Sequence, residues 1–104
     1  MSDELSWLWR DDCHIRFSRH AGHAFIERGI DRASLRQLLA QAEQIEFYPP
    51  SGYPYPNFLL LTWQDDQPLH IVVADDVEHN EVIVVTAYIP EPERWERDWR
   101  TWRK

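Results

Sequence analysis

The sequence predicts an α+β fold, in which two N-terminal helices pack on a three- to four-stranded antiparallel sheet and a C-terminal helical or extended tail follows. Three observations favour this fold class. Apolar residues before residue 43 recur at helical spacing, whereas those between residues 44 and 89 follow the two-residue period of strands. Short polar turns also separate the later apolar runs, as they do in an antiparallel meander.

Two consecutive helices are predicted ahead of the sheet. Ser18 is a favourable N-cap for a helix over residues 19–28, and Gly29 can adopt the left-handed conformation that ends it. Asp31 then caps a second helix over residues 32–42. Its apolar side chains form one stripe at positions i, i+3, i+4 and i+7, namely Leu35, Leu38, Leu39 and Ala42.

The strands are predicted from alternation and from the turns between them. The short stretch 13–17 alternates and is a candidate first strand. The other predicted strands cover residues 44–48, 58–63, 68–74 and 81–89, and a proline-rich loop covers residues 49–57. Because the last two runs are apolar almost throughout, we expect central strands that are covered on much of both faces.

The tail after the last predicted strand is rich in tryptophan and arginine. Pro90 and Pro92 end the strand, and Trp95, Trp99 and Trp102 follow at positions i, i+4 and i+7. Arginines stand between the tryptophans, at Arg94, Arg97, Arg100 and Arg103. This spacing predicts either an amphipathic helix or an aromatic strip that lies on the body of the domain.

Composition restricts the class of protein. A chain of 104 residues predicts a single domain, and its core is expected between about residues 13 and 95.

The net charge of -7 argues against a nucleic-acid partner, but every Lys and Arg lies in segments 10–36 and 94–104. If these two segments meet in space, they form a local positive patch; the alternative is that their charges are simply solvated.

Compartment is predicted from cysteine usage and hydropathy. A single cysteine forbids an internal disulfide, as expected in a reducing compartment. No apolar run approaches the ~18 residues that span a bilayer. The acidic N-terminal stretch lacks the basic and apolar regions of a secretory signal. We therefore expect a cytoplasmic protein without a membrane partner.

Metal and thiol chemistry have little support in the motifs. His20 and His23 have the i, i+3 spacing of a zinc-binding pair, but no third ligand stands at a recognisable spacing. Neither CxxC nor HExxH is present. Cys13, the only thiol, has no catalytic motif around it and is interpreted as structural or incidental. We expect no metal and no cofactor.

General acid–base chemistry is the remaining class. His70 interrupts an otherwise apolar strand, and Thr86 and Tyr88 share one face of the next strand. If the strands pair so that His70 lies across from the neighbourhood of Thr86, all three side chains project from one face, and His20 could reach it from the first helix. A cluster of His, Tyr, Thr and Arg without acidic groups suits metal-free RNA cleavage. The alternative is that these are ordinary strand residues and a satisfied core histidine.

Three blocks of the sequence resemble, in order, those of the DUF4258 family. They are "SRHAGHAFIERGI", "QPLHIVVA" and "VIVVTAYIPEPERWE", and the resemblance extends from residue 17 to about residue 95. DUF4258 proteins are similar to the RelE-like toxins of bacterial toxin–antitoxin pairs, a wider group that includes barnase-like, metal-independent ribonucleases. The resemblance implies an RNA endonuclease, with RNA and a masking antitoxin protein as partners.

The family blocks also imply a set of site residues, namely His20, Arg28, His70, Thr86 and Tyr88. By this resemblance, His20 or His70 is the general base or acid, Arg28 neutralises phosphate charge, and Thr86 and Tyr88 position the substrate. This ribonuclease hypothesis predicts that His20, His70 and Tyr88 converge in one cleft near the basic segments, with at least one perturbed histidine pKa. In that form it fails if the three side chains lie on opposite faces.

A second hypothesis is a non-catalytic protein-interaction domain, or an inactive descendant of the same fold. The tryptophan- and arginine-rich tail and the proline-rich loop would then form an aromatic binding surface, because Trp, Tyr and Arg dominate interface energetics. This hypothesis predicts that Trp95, Trp99 and Trp102 are exposed, and that the tail supports a homodimer or binds another protein.

Overall fold

A five-stranded mixed sheet forms the framework of the protein in the computed structural model, which describes residues 7, 9–50 and 54–103. The strands lie in the order β1-β5-β4-β3-β2. Their bounds are β1 (His14–Phe17), β2 (Glu43–Tyr48), β3 (Asn57–Gln64), β4 (Gln67–Asp76) and β5 (Glu81–Tyr88). The helices are α1 (Arg19–Glu27) and α2 (Leu35–Ala40), and a single 3-10 turn (Arg32–Ser34) leads into α2.

The predicted three- to four-stranded antiparallel sheet with two N-terminal helices is wrong. The sheet has a fifth strand because β1 pairs with β5, and this pairing is parallel, with His14 opposite Glu81 and Phe17 opposite Val84. The helices lie between β1 and β2 rather than ahead of the sheet. Short turns in a sequence indicate which consecutive strands pair, but they carry no signal for a four-residue strand whose partner is the last strand of the chain.

The helix ends follow the predicted capping chemistry. The Oγ atom of Ser18 accepts a hydrogen bond from the backbone N–H of Ala21 at 3.0 Å and donates one to the carbonyl of Val85 at 2.8 Å. Gly29 adopts a φ of +64°, and Asp31 accepts from the backbone N–H of Ala33 at 2.9 Å. All three predicted caps are therefore confirmed, although the second helix begins as a 3-10 turn and ends at Ala40.

The helices cover one side of the sheet, here called the helix face. Its core consists of apolar side chains from α1, α2 and the three central strands, among them Phe25, Leu39, Phe58, Leu60, Ile71, Val73 and Val84. Thr62 belongs to this side, since its hydroxyl donates to the carbonyl of Leu38 at 2.8 Å. Because successive strand residues alternate between faces, Leu59, Leu61 and His70 project to the opposite side.

The tail, residues 90–103, lies across that opposite side, which we call the tail face. It is not a helix. Trp95 and Trp102 form an antiparallel bridge, the N–H of Glu96 donates to the carbonyl of Thr101 at 2.8 Å, and Trp99 adopts a φ of +60° within the turn. The far end is tied to β2 by an ion pair between Arg100 and Glu43. The i, i+4, i+7 spacing therefore reflects pairing across a short hairpin and not one side of a helix.

The covered tail face explains the apolar character of β3 and β4. Most residues of both strands are buried. The expectation of strands covered on both faces concerned β4 and β5: it is met by β4, whereas β5 is central in the sheet but alternates between buried and half-buried residues. Residues 1–6, 8, 51–53 and 104 lie outside the described part of the chain, and these include most of the N-terminal stretch and the middle of the proline-rich loop. Within the described residues, no helix has the length and apolar character needed to cross a bilayer.

Candidate functional site

A groove runs along the tail face where β5 ends and the tail turns back over the sheet. It consists of two adjoining cavities of about 420 and 260 Å³, and Tyr88, Trp95 and Trp102 line both. Arg28 and Arg94 stand in the larger cavity. The smaller cavity is bounded on its other side by Glu46, Tyr48 and Leu59. The groove thus has two arginines, with Glu91 beside them, at one end and Glu46 at the other, with aromatic side chains between them.

Tyr88, which lines the groove, is hydrogen-bonded to the buried His70 behind it. These residues lie opposite each other on β5 and β4, and the Nδ1 atom of His70 is 3.2 Å from the Tyr88 hydroxyl. The other ring nitrogen of His70, Nε2, lies 2.7 Å from the carbonyl oxygen of Trp99. A carbonyl only accepts, so Nε2 carries the proton and Nδ1 accepts from Tyr88. The Tyr88 hydrogen is therefore directed at His70, which leaves the phenol oxygen as an acceptor toward the groove.

Burial sets the protonation states of this pair. His70 is 0% exposed, and loss of hydration lowers the pKa of its imidazole, although the Trp99 carbonyl and the charge of Glu46 act in the opposite direction. Burial also raises the pKa of the Tyr88 phenol, and the nearby carboxylate of Glu46 adds to this rise. At neutral pH the pair therefore consists of a neutral imidazole and a neutral phenol. In that state Tyr88 can accept a proton from a ligand while passing its own proton to His70.

The tail holds His70 in this state. The indole of Trp95, which is 4% exposed, lies edge-on to the His70 ring at a centroid distance of 4.5 Å. Trp99 supplies the carbonyl from a backbone conformation that L-residues rarely adopt. The sequence pattern did not predict this role for the tail. The available signal was a histidine within an apolar strand, since a buried histidine needs partners for both ring nitrogens.

The structure brings together three of the five predicted site residues, because His70 and Tyr88 are in contact and Arg28 lies in the same groove as Tyr88. Thr86 is half-buried on the same strand face as Tyr88, opposite Val72, but lines neither cavity. His20 is exposed on α1, the helix that packs on the other side of the sheet. The predicted convergence of His20, His70 and Tyr88 is therefore not observed. The predicted perturbation of a histidine pKa is confirmed for His70.

Sequence reasoning missed two groove residues, Glu46 and Tyr48, whereas it placed Arg94 and Trp102 only in the tail surface of the interaction hypothesis. Glu46 and Tyr48 are two residues apart on β2, so they share the tail face, and the Tyr48 hydroxyl donates to the Glu46 carboxylate. Burial, followed by this hydrogen bond, raises the pKa of the Tyr48 phenol. Their i, i+2 spacing was visible in the sequence, but nothing local indicated that the last strand would lie within reach.

The two basic segments of the sequence do meet at this groove. Arg28 comes from the N-terminal segment and Arg94 from the C-terminal one. Each arginine has a carboxylate beside it, Glu27 at 3.8 Å from Arg28 and Glu91 at 3.5 Å from Arg94. The local charge is therefore mixed. In the described part of the chain, no three His, Cys, Asp or Glu side chains group closely enough to hold a metal ion.

The tail tryptophans differ in exposure. Trp95 is buried, Trp99 is half-buried and Trp102 is 53% exposed. The interaction hypothesis predicted that all three are exposed, and this is wrong for Trp95, which is part of the packing on the tail face. Of these three tryptophans, Trp102 alone lines the groove with more than half of the residue exposed.

Comparison with known proteins identifies one family. The model of a family described as "Domain of unknown function (DUF4258)" matches residues 17–89. The matched stretch includes all five predicted site residues and ends directly before the tail. Neither a curated protein nor a solved structure matches the chain.

Proposed function

The chain belongs to the DUF4258 family, and we propose that it is a metal-independent RNA endonuclease of the RelE-like and barnase-like kind, with the groove as its active site. One observation carries the proposal. The hydroxyl of Tyr88 is hydrogen-bonded to a buried, neutral His70 in a groove that also contains Arg28 and Arg94. A proton acceptor beside two cations is the arrangement that cleavage of a phosphodiester by the neighbouring ribose hydroxyl requires.

The proposed reaction begins with proton transfer from the ribose 2′-hydroxyl. The Tyr88 oxygen takes this proton while the Tyr88 proton passes to Nδ1 of His70. The 2′ oxygen forms a bond to phosphorus, the bond from phosphorus to the 5′ oxygen breaks, and the departing oxygen takes a proton from water. The hydroxide left by that water is neutralised by the proton that His70 returns through Tyr88. The products are a 2′,3′-cyclic phosphate and a free 5′-hydroxyl.

The arginines supply charge for the pentacovalent phosphorus species. Arg28 and Arg94 are paired only loosely with neighbouring carboxylates, at 3.8 and 3.5 Å. Exposed pairs of this kind contribute about 0–1 kcal/mol, so a bound phosphate can draw the guanidinium groups away at little cost. A guanidinium can then donate two parallel hydrogen bonds to phosphate oxygens. Thr86 is proposed to help position the RNA. The predicted role of His20 as general base or acid is not part of this proposed mechanism, because His20 is exposed on α1 and does not line the groove.

A protein partner is also part of the proposal. As an RNA endonuclease of a toxin–antitoxin pair, the chain would be masked by a small antitoxin protein that covers the groove. The exposed Trp102 at the centre of the groove suits such a contact, because tryptophan and arginine dominate binding energy at protein interfaces.

The decisive experiment compares a tyrosine of the groove with one outside it. Purified wild type, Tyr88→Phe and Tyr55→Phe are incubated with single-stranded RNA in the presence of EDTA. We expect cleavage by wild type and by Tyr55→Phe, and none by Tyr88→Phe, because Tyr88 is hydrogen-bonded to His70 whereas Tyr55 lines a different cavity. A wild-type chain that is folded and leaves all RNA intact would refute the proposed activity.

A second candidate function is binding without catalysis. It is favoured by the carboxylates of Glu46 and Glu91 in the groove, which repel a polyanion and suit a basic or mixed-charge protein segment. In that case Tyr88→Phe leaves affinity for the partner nearly unchanged, whereas Trp102→Ala weakens it. Capture of a partner by wild type without RNA cleavage would favour this candidate.

A further inference from the structure

We propose that the tail makes the groove specific for one unstacked base of a single-stranded RNA, with Trp102 as the stacking surface and Glu46 as the hydrogen-bond acceptor for an exocyclic amino group. This inference rests on the proposed function in taking RNA as the ligand. The stacking residue Trp102 lies outside the family match, which ends at residue 89.

Trp102 has the geometry of a fixed stacking platform. Its backbone is bridged to Trp95, and its ring meets the Trp95 ring edge to face at a centroid distance of 4.7 Å. Trp95 is in turn packed against His70. Trp102 is therefore held in place from one side while more than half of the residue stays open to solvent and to the groove. Proteins that bind single strands use such aromatic faces, since every base has a π surface that can stack.

Glu46 gives this platform a preference among bases. It lines the same 260 Å³ cavity as Trp102, and the Tyr48 hydroxyl already donates to one of its oxygens, which holds the carboxylate in place. An ionised carboxylate only accepts hydrogen bonds, so it favours bases that offer an amino group. Cytosine, adenine and guanine carry such a group, whereas uracil presents a carbonyl oxygen that the carboxylate repels.

The charges along the groove match the polarity of a nucleotide. Arg28 and Arg94 stand at the opposite end from Glu46, with Tyr88 and Trp102 between them. A phosphate at the arginines and a base at Trp102 and Glu46 would leave the ribose beside Tyr88. A duplex cannot satisfy this arrangement, because its bases are already stacked and paired.

The test uses homopolymers that cannot be cleaved. Fluorescence anisotropy measures binding of 2′-O-methyl oligocytidine and oligouridine, each of about eight nucleotides. We expect wild type to bind oligocytidine about fivefold or more tightly than oligouridine. Glu46→Gln should abolish this preference, because an amide can donate to uracil as well as accept from cytosine.

Trp102→Ala should weaken binding of both homopolymers about fivefold or more. The matched control is Trp63→Ala, since Trp63 is 45% exposed but lines a different cavity. Trp102→Phe, which keeps an aromatic face, should retain most of the affinity and excludes misfolding as the cause. Equal affinity for the two homopolymers in wild type, or equal affinity of Trp102→Ala and wild type, would overturn the inference.

The outcomes separate this inference from the proposed activity. If wild type prefers oligocytidine but leaves unmodified RNA intact, the base site stands and the endonuclease proposal fails. If wild type cleaves RNA but shows no dependence on Trp102 or Glu46, the endonuclease stands and the base site fails. Failure to bind either homopolymer, with retained binding of a peptide or protein, overturns the base site and favours the non-catalytic alternative.

Discussion

The Nε2 atom of His70 lies 2.7 Å from the carbonyl oxygen of Trp99, so a residue of the tail determines the tautomer of a histidine in the centre of the sheet. That tautomer directs Nδ1 toward Tyr88 and thereby determines which way the phenol hydrogen points. The chemistry of the groove thus depends on a segment that follows the family-matched residues. The same hydrogen bonds make stability depend on pH in a predictable direction.

Acidification should destabilise the protein through His70. In the unfolded chain His70 takes up a proton near its ordinary pKa of 6.5, whereas burial lowers the pKa in the folded protein. Between these two values the unfolded state binds more protons, so the free energy of unfolding falls as the pH falls, by up to about 1.4 kcal/mol per pH unit. Above pH 6.5 this contribution to stability is fully present. Urea unfolding at a series of pH values from neutral to mildly acidic measures the slope.

His70→Gln should reduce that slope, because glutamine does not titrate while its amide can still donate to the Trp99 carbonyl. His23→Gln, at an exposed histidine of α1, is the control for the loss of a histidine elsewhere in the protein. Parallel pH profiles for wild type and His70→Gln would show that His70 titrates normally in the folded protein.

Trp95→Ala should destabilise the protein strongly. The Trp95 ring is buried between His70 and Trp102, with centroid distances of 4.5 and 4.7 Å, so its removal leaves a cavity beneath the tail. Truncation of a buried tryptophan costs about 3–5 kcal/mol. Thermal and urea unfolding measure the loss, and Trp63→Ala should cost much less because Trp63 is 45% exposed whereas Trp95 is 4% exposed. Similar losses for the two variants would mean that the tail adds little to the fold.

The parts of this fold that are encoded locally were predictable. Ser18, Gly29 and Asp31 act through groups within three residues of themselves, and their caps were found where the sequence predicted them. The parts that depend on distant partners were not. The pairing of β1 with β5 joins residues that are far apart in the sequence, and the spacing of residues along the chain does not predict such a pairing.

The candidate site was predictable only in part, for a related reason. A strand covered on one side shows which residues face the core, but β4 is buried on both sides because the tail covers its second face. The nearly continuous apolar sequence of β4 therefore did not reveal that His70 points away from the helices. His20 and His70 consequently looked compatible with one cleft, although α1 and the tail lie on opposite sides of the sheet.

Substitution by alanine should change the free energy of unfolding differently at Gly29, which follows α1, and at Gly22, which lies within α1. Gly29 has a φ of +64°, so Gly29→Ala strains the backbone and should cost about 1 kcal/mol, even though no described residue has an atom within 4 Å of the added methyl. Gly22 lies within the helix, where alanine is favoured by about 0.5–1 kcal/mol. Its added methyl meets only the end of the flexible Arg32 side chain, at 3.1 Å, so Gly22→Ala should be neutral or stabilising. Urea unfolding distinguishes the two, and equal effects would contradict the left-handed conformation at Gly29.

Arg28→Gln should impair RNA cleavage while leaving the fold intact. Arg28 lines the groove beside Tyr88 at the end of α1, and its proposed role is to neutralise charge that develops on the phosphate. Loss of one such donor typically lowers kcat about 10²-fold. Arg28→Lys should recover part of the rate, because lysine keeps the charge but not the two parallel hydrogen bonds. Arg19→Gln is the matched control, since Arg19 is an exposed arginine at the other end of the same helix. If Arg19→Gln and Arg28→Gln slow cleavage equally, the effect of Arg28 is one of overall charge and the phosphate does not lie beside it.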